Sequence, residues 1–197
     1  KGIFNMKLVV FSSAPIVLLK EEKYMYAPYE KEMQLWAKYA NEIQFCCPIW
    51  KEDKKLLINV IGFNTLQIIE VKEFNVTSIK NAFSAISKIL NNLFVIYSAM
   101  QQADHIHIRC PGNIGLLACF VQIFFPNKKK TVKYAGNWDP KSKQPLSYRI
   151  QKWILSNTFF TKNTKVLVYG KWKNSSKNIK PFFTATYTSN DMKPIPL

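Results

Sequence analysis

The sequence predicts an α/β domain of three layers: a mostly parallel sheet with helices on both faces. Three observations predict it. Short apolar or β-branched runs alternate with longer helical patterns along the chain, which is the signature of a parallel sheet. One segment, Ser78–Gln102, has apolar residues at Ile79, Phe83, Ile86, Leu90, Leu93, Tyr97 and Met100, the spacing of a helix with one apolar seam. Two stretches, Ala103–Gly115 and Lys133–Pro140, each read as a strand that runs into a polar loop bearing glycine. In an open α/β sheet, loops at the carboxyl ends of strands line the ligand crevice.

The elements follow in order. Lys7–Ser12 is an apolar run closed by Ser-Ser-Ala-Pro, hence a buried first strand and a loop. Pro28–Ala40 places Met33, Trp36 and Ala40 at helical spacing. Ile43–Cys47, stopped by Pro48, is a second strand. Leu56–Ile61 and Leu66–Val71 flank Gly-Phe-Asn-Thr and read as a hairpin or as two neighbouring strands. The long helix has Thr77 or Ser78 as its N-cap. His105–Arg109 is a strand, and Gly112–Phe125 a helix apolar on most faces, suited to the centre of a layered domain. Thr131–Ala135 is a strand, and Ser147–Thr161 a helix with Ile150, Trp153, Ile154 and Asn157 on one side. Val166–Tyr169 is a strand. Lys177–Leu197 carries Pro181, Pro194 and Pro196 and stops as though another element were about to begin. The expected division is an extension at 1–6, one domain at 7–190 and the start of a linker at 191–197.

At 197 residues, with 48% hydrophobic and 14% aromatic residues, the chain has ample material for a core and is not a disordered segment. Its net charge is +16, yet only Arg109 and Arg149 are arginines. Bidentate phosphate clamps and base readout favour arginine. A lysine surface is a diffuse field that draws anions without geometric choice. Four cysteines, two of them adjacent, do not form a secreted disulfide framework and fit a reducing cytoplasmic compartment. The apolar run Ile114–Phe125 is too short to cross a bilayer.

Several residues could carry chemistry. His105 and His107 alternate on a strand and share a face, with Cys110 close behind. Ligands crowded on one stretch of backbone rarely converge on a metal, and no zinc spacing is present, so no metal is expected. Arg109-Cys110-Pro111-Gly112-Asn113-Ile114-Gly115 opens a helix, where backbone N–H groups favour an anion. The same glycines also fit plain close packing of helix on strand, and neither G-x-G-x-x-G nor a P-loop is present. In Tyr134–Asp139, Trp138 could stack on a sugar ring while Asn137 and Asp139 bond its hydroxyls. The alternative is that Trp138 plugs the core and Asp139 caps a turn. Glu21, Glu22, Glu30 and Glu32 read as solvated surface acids. No catalytic triad, nucleophile elbow or kinase set occurs.

From about Ala103 to Tyr187 the chain resembles the amino-terminal half of bacterial glycosyltransferases of the GT-B fold, in the family 4 group. The resemblance is carried by Asp104–Gly112, Lys133–Trp138, Ser147-Tyr148-Arg149, Val166–Gly170 and Pro181–Thr184. It implies a Rossmann-like domain that mostly holds the acceptor, facing a carboxyl-terminal domain that holds a nucleotide-sugar and is absent here. It implies that this chain alone does not transfer sugar. It also implies transfer to a glycan or glycolipid acceptor with retained configuration, needing no cofactor. The substrate-binding residues would be Arg109, Asn113, Tyr134, Asn137, Trp138 and Asp139, and Ser12 and Ser13 would form the donor-facing loop. Many relatives carry a His where this chain has Ala135-Gly136, so Asn137 or Asp139 would take its place. No base is assigned, and Asp139 is the one carboxylate put forward for a catalytic part.

The lysines would then draw the enzyme to anionic lipid headgroups at the inner membrane face. A competing reading is a lysine-rich module that binds nucleic acid or another anion without catalysis. Scarce arginine and the lack of any nucleic-acid-binding signature speak against nucleic acid. A free-standing nucleotide-binding protein lacks its glycine fingerprint here.

Overall fold

The structure is a computed structural model and describes residues 6–65, 67–74 and 79–182, without the side chains of 79–84. The expected extension before Met6, the N-cap at 77–78 and everything after Phe182 lie outside the described residues.

The strands are β1 (Lys7–Phe11), β2 (Ile16–Leu19), β3 (Glu22–Tyr26), β4 (Glu42–Cys47), β5 (Ile49–Trp50), β6 (Ile58–Val60), β7 (Ile69–Glu70), β8 (His105–Cys110), β9 (Lys129–Tyr134), β10 (Thr164–Tyr169) and β11 (Ile179–Phe182). The helices are α1 (Ala27–Ala37), α2 (Ile79–Gln102), α3 (Asn113–Val121) and α4 (Leu146–Ser156). Seven strands form one sheet in the order β11-β10-β9-β8-β1-β4-β7, parallel throughout. This is the expected α/β, Rossmann-like three-layer arrangement. The strand order reverses between β1 and β8, which makes that junction the topological switch point.

The two faces of the sheet explain the sequence pattern. Leu8, Val9, Val10 and Phe11 are all fully buried, because β1 is central and covered on both sides. Val9 and Phe11 join Ile106, Ile108, Val132 and Val166 under α2, α3 and α4. Leu8 and Val10 join Ile43 and Phe45 under α1, with Tyr29 and Met33 as its buried contacts. Each such side chain contributes about 1.5–3 kcal/mol on burial. α1 starts with Pro28 in its first turn, where the missing N–H costs nothing. α3 sits between α2 and α4, which accounts for its nearly all-round apolar surface.

Over β9, β10 and β11 the second face is not covered by α1, and a groove of about 1010 Å3 is lined there by Lys165, Leu167 and Lys180. Lys130 points the other way. Its ammonium donates to the carbonyls of Gln122 (3.2 Å) and Phe125 (2.8 Å), and burial holds it down to about 8.

Some expectations need correction. The segments around Gly62 are not a hairpin: β6 pairs antiparallel with β3, while β7 extends the large sheet beside β4. The β2–β3 hairpin, part of a four-stranded sheet β5-β2-β3-β6, was not expected. Its two-residue turn uses Lys20 at φ 54°, without the glycine or asparagine that marks such turns. α4 ends at Ser156 rather than Thr161, because Asn157 turns the chain and its carbonyl accepts both Thr161 N–H (3.1 Å) and Oγ1–H (2.7 Å). Trp153 faces outward at 61% exposure, and Gln151, Ile154 and Leu155 form the inner side.

Candidate functional site

The switch point brings the β1 loop against the start of α3. Ser12 is buried and its Oγ accepts the N–H of Ala14 at 3.0 Å. Ser13 Oγ accepts the N–H of Ile114 at 3.1 Å, one of the free donors of the first turn of α3. The N–H of Gly112 goes to Gln151 Oε1 at 3.3 Å. Both serines therefore fasten loops, and two of the donors expected to face an anion already have protein partners. The glycines are there for proximity. A Cβ on Gly115 would lie 2.5 Å from the Arg109 carbonyl oxygen, and one on Gly112 would collide with Ser13.

Beside this junction lies a small pocket of about 100 Å3, lined by Ser13, Pro48, Glu73, Phe74, Asn113 and Ile114. Asn113 Nδ2 donates to the Phe74 carbonyl at 3.0 Å, which fixes the amide and turns Oδ1 to other partners. Glu73 accepts the indole N–H of Trp50 at 3.1 Å. Trp50 also has the Lys54 ammonium 4.3 Å from its ring centre. Hydroxyl, amide and carboxylate next to an indole are the groups that match a polyhydroxylated ring. Glu73 was missed in the sequence because it stands alone in a stretch with no motif. Only the parallel pairing of β7 with β4 carries it to the end of the sheet.

Arg109 is placed on the opposite face from Cys110. Its Nη1 lies 2.8 Å from Glu32 Oε2, and its guanidinium stacks 3.7 Å over the Tyr29 ring. Lys133 Nζ is 2.6 Å from the same Glu32 oxygen and 4.9 Å from the Phe182 ring centre. Glu32 is thus a mostly buried acid shared by two cations, and the cluster keeps one surplus positive charge. Glu30 is buried too, accepting from Gln34 (2.8 Å) and Gly62 (3.3 Å). The reading of these two as solvated acids is corrected: Glu32 is turned toward β8 and β9, and Glu30, on another side of α1, is covered by the segment at Gly62. Beneath the cluster, His107 is fully buried, has no hydrogen-bond partner at either nitrogen among the described residues, and packs tilted against Trp36 at 4.8 Å. Burial, followed by the Arg109 charge, pushes its imidazole well down, so it is neutral. His105, on the same face as expected, meets Thr131 Oγ1 at 2.8 Å.

The third expected piece is the loop after β9. Tyr134 is fully buried and its hydroxyl lies 3.1 Å from Gln144 Oε1. Trp138 is 6% exposed and packs edge-on against Tyr134 at 4.9 Å. It is packed into the core and does not stand out from the loop. Asn137 Oδ1 accepts Asp139 N–H (2.9 Å) and Asp139 Oδ1 accepts Lys141 N–H (2.9 Å), so both side chains hold the turn. Gly136 lets this loop lie against Pro111, since a Cβ there would be 3.1 Å from the proline ring. The two loops are therefore neighbours, as the sequence suggested. Next to them, Trp138, Lys152, Trp172, Asn174 and Ser176 help line a cavity of about 370 Å3.

Of the expected residues, Asn113 and Ser13 share the switch-point pocket. Arg109 belongs to the Glu32 cluster. Tyr134, Asn137, Trp138 and Asp139 shape the neighbouring loop. Among the described residues, no group of three or more His, Cys, Asp or Glu could hold a metal ion. Among them, too, no helix is long and apolar enough to cross a membrane. The sequence matches no protein-family model and no curated protein.

Proposed function

We propose that this chain is the acceptor-side half of a glycosyltransferase that moves a sugar from a nucleotide-sugar to a glycan or lipid-linked acceptor with retained configuration. One observation carries the reading: the pocket at the switch point, where Ser13, Asn113 and Glu73 converge beside Trp50. Its volume of about 100 Å3 is well below the roughly 300–1,000 Å3 of drug-sized sites. That favours part of one sugar ring over a whole nucleotide. Glu73 would accept hydrogen bonds from hydroxyls of the acceptor, Asn113 Oδ1 would accept another, and the Ser13 hydroxyl would donate one. The surplus positive charge of the buried Arg109–Glu32–Lys133 cluster, near the carboxyl ends of β8 and β9, would support a departing phosphate through its field and not by contact. A retaining reaction needs positioning and support of an oxocarbenium-like transition state; the acceptor's hydroxyl proton would leave on the departing phosphate oxygen, so none of these residues has to act as a base.

The test is a glycan array probed with the labelled chain and with Glu73→Gln. The reading expects a defined set of saccharides to bind the chain and to be lost with the variant. Retention of a free nucleotide with no saccharide bound at all would overturn it.

A further inference from the structure

We infer that the open sheet face over β9–β11, with the turns at the amino-terminal ends of β9 and β10, is a docking face for an anionic lipid bilayer, formed by a lysine-lined groove and exposed aromatic loop tips beside it. The inference stands independently of the sugar reading.

The charge of the chain is lopsided. Residues 105–197 hold 16 of the 28 lysines and arginines but only two of the 12 acids, Asp139 and Asp191. The groove of about 1010 Å3 gathers much of this charge. Lys129, Lys162, Lys165, Lys177 and Lys180 line it, and among the described residues no acid does. All five are exposed, and among the described residues none forms an ion pair. Five unpaired ammonium groups along one groove repel one another, and an anionic surface relieves that repulsion.

Aromatic side chains crowd the same end. Phe159 is 70% exposed on the loop that supplies Thr158, Thr161 and Lys162 to the groove, with the Lys162 ammonium 5.5 Å from its ring centre. Phe160, stacked on Phe159 at 5.6 Å, also meets the exposed Trp153 at 5.4 Å. The turn bearing Phe124, 74% exposed, is tied to this loop: Asn163 Nδ2 donates to the Pro126 carbonyl, and Gln122 Nε2 to that of Phe160, each at 2.9 Å. Tyr97 on α2 adjoins through its 5.0 Å contact with Phe125. Phe124, Phe159 and Phe160 sit on turns that precede β9 and β10, with Trp153 of α4 and Tyr97 of α2 next to them.

The arrangement decides the partner. A single-stranded nucleic acid asks for aromatic platforms inside the basic groove. Here Trp36 and His105, which help line the groove, are packed on each other at 5.6 Å, and the exposed Phe124 and Phe159 stand on turns flanking it. Apolar rings on protruding turns, flanked by lysines with long apolar stems, are what the boundary between acyl chains and charged headgroups accommodates. On this geometry the bilayer contacts the amino-terminal ends of the strands, and the switch-point crevice opens away from it.

Vesicle co-sedimentation tests the face. The full chain is mixed with phosphatidylcholine vesicles, with or without phosphatidylglycerol, across a salt series. Binding should require phosphatidylglycerol and fade with salt. It should weaken by about thirtyfold in Lys162→Gln/Lys165→Gln, as expected for two basic residues at a charged surface. Phe124→Ser/Phe159→Ser, which alters only exposed side chains, should weaken it without changing the far-ultraviolet spectrum or the melting temperature. No binding to anionic vesicles at low salt overturns the inference. So does equal binding by all variants, tighter binding of a single-stranded polynucleotide through the same lysines, or a self-association that the phenylalanine variants abolish.

Discussion

Lys133 on β9 reaches across the sheet surface to Glu32 on α1, 101 positions away in the chain, with its ammonium 2.6 Å from Oε2. The same oxygen lies 2.8 Å from Arg109 on β8. The second layer of the domain is thus clamped to the sheet by one carboxylate between two cations. The three side chains are only 6–17% exposed, so little water can take over for the missing acid.

Glu32→Gln leaves Arg109 and Lys133 facing each other without their counter-ion. Breaking such a buried pair costs about 3–5 kcal/mol. Urea unfolding should show that loss, and adding Lys133→Met should recover part of it.

Gly115→Ala places a methyl group against the Arg109 carbonyl, a backbone atom that cannot swing aside. Overpacking of this kind costs about 1–3 kcal/mol. Gly62→Ala is the control, because its Cβ would meet only the side-chain ends of Gln34 and Glu30 at 3.5 Å. Thermal melting should drop clearly for the first and stay close to the parent for the second.

His107 makes stability fall in acid. Its folded imidazole is held well below the ordinary value near 6.5, so the unfolded chain binds the extra proton first as pH drops. Stability is complete above about pH 6.5 and declines as pH falls through that value. His107→Phe, which keeps a ring against Trp36, should flatten the slope just below pH 6.5. An unchanged slope would mean that His107 is not held neutral.

Much of the fold was legible because burial on both faces leaves its mark. Leu8–Phe11 reads as a continuous apolar run since β1 is central, and the seam of α2 reads as a helix that packs on one side. The β2–β3 hairpin was hidden because its turn carries no glycine or asparagine. The candidate site was legible in part. Glycine-bearing loops correctly marked the strand ends, and Asn113 lies at the switch-point pocket. Residue type alone could not tell that Trp138 would turn inward or that Glu32 would be buried, since both depend on which side of a loop or helix meets the sheet. Glu73 gave no signal at all, because its position rests on the pairing of the two-residue strand β7 with β4.

The most direct measurement is an amide-resolved NMR titration of the chain with the saccharides retained on the glycan array. The account predicts shifts concentrated at Ser13, Trp50, Glu73 and Asn113, saturating together and lost in Glu73→Gln. Shifts confined to the lysine groove around Lys129 and Lys165, or a set that Glu73→Gln leaves unchanged, would contradict it.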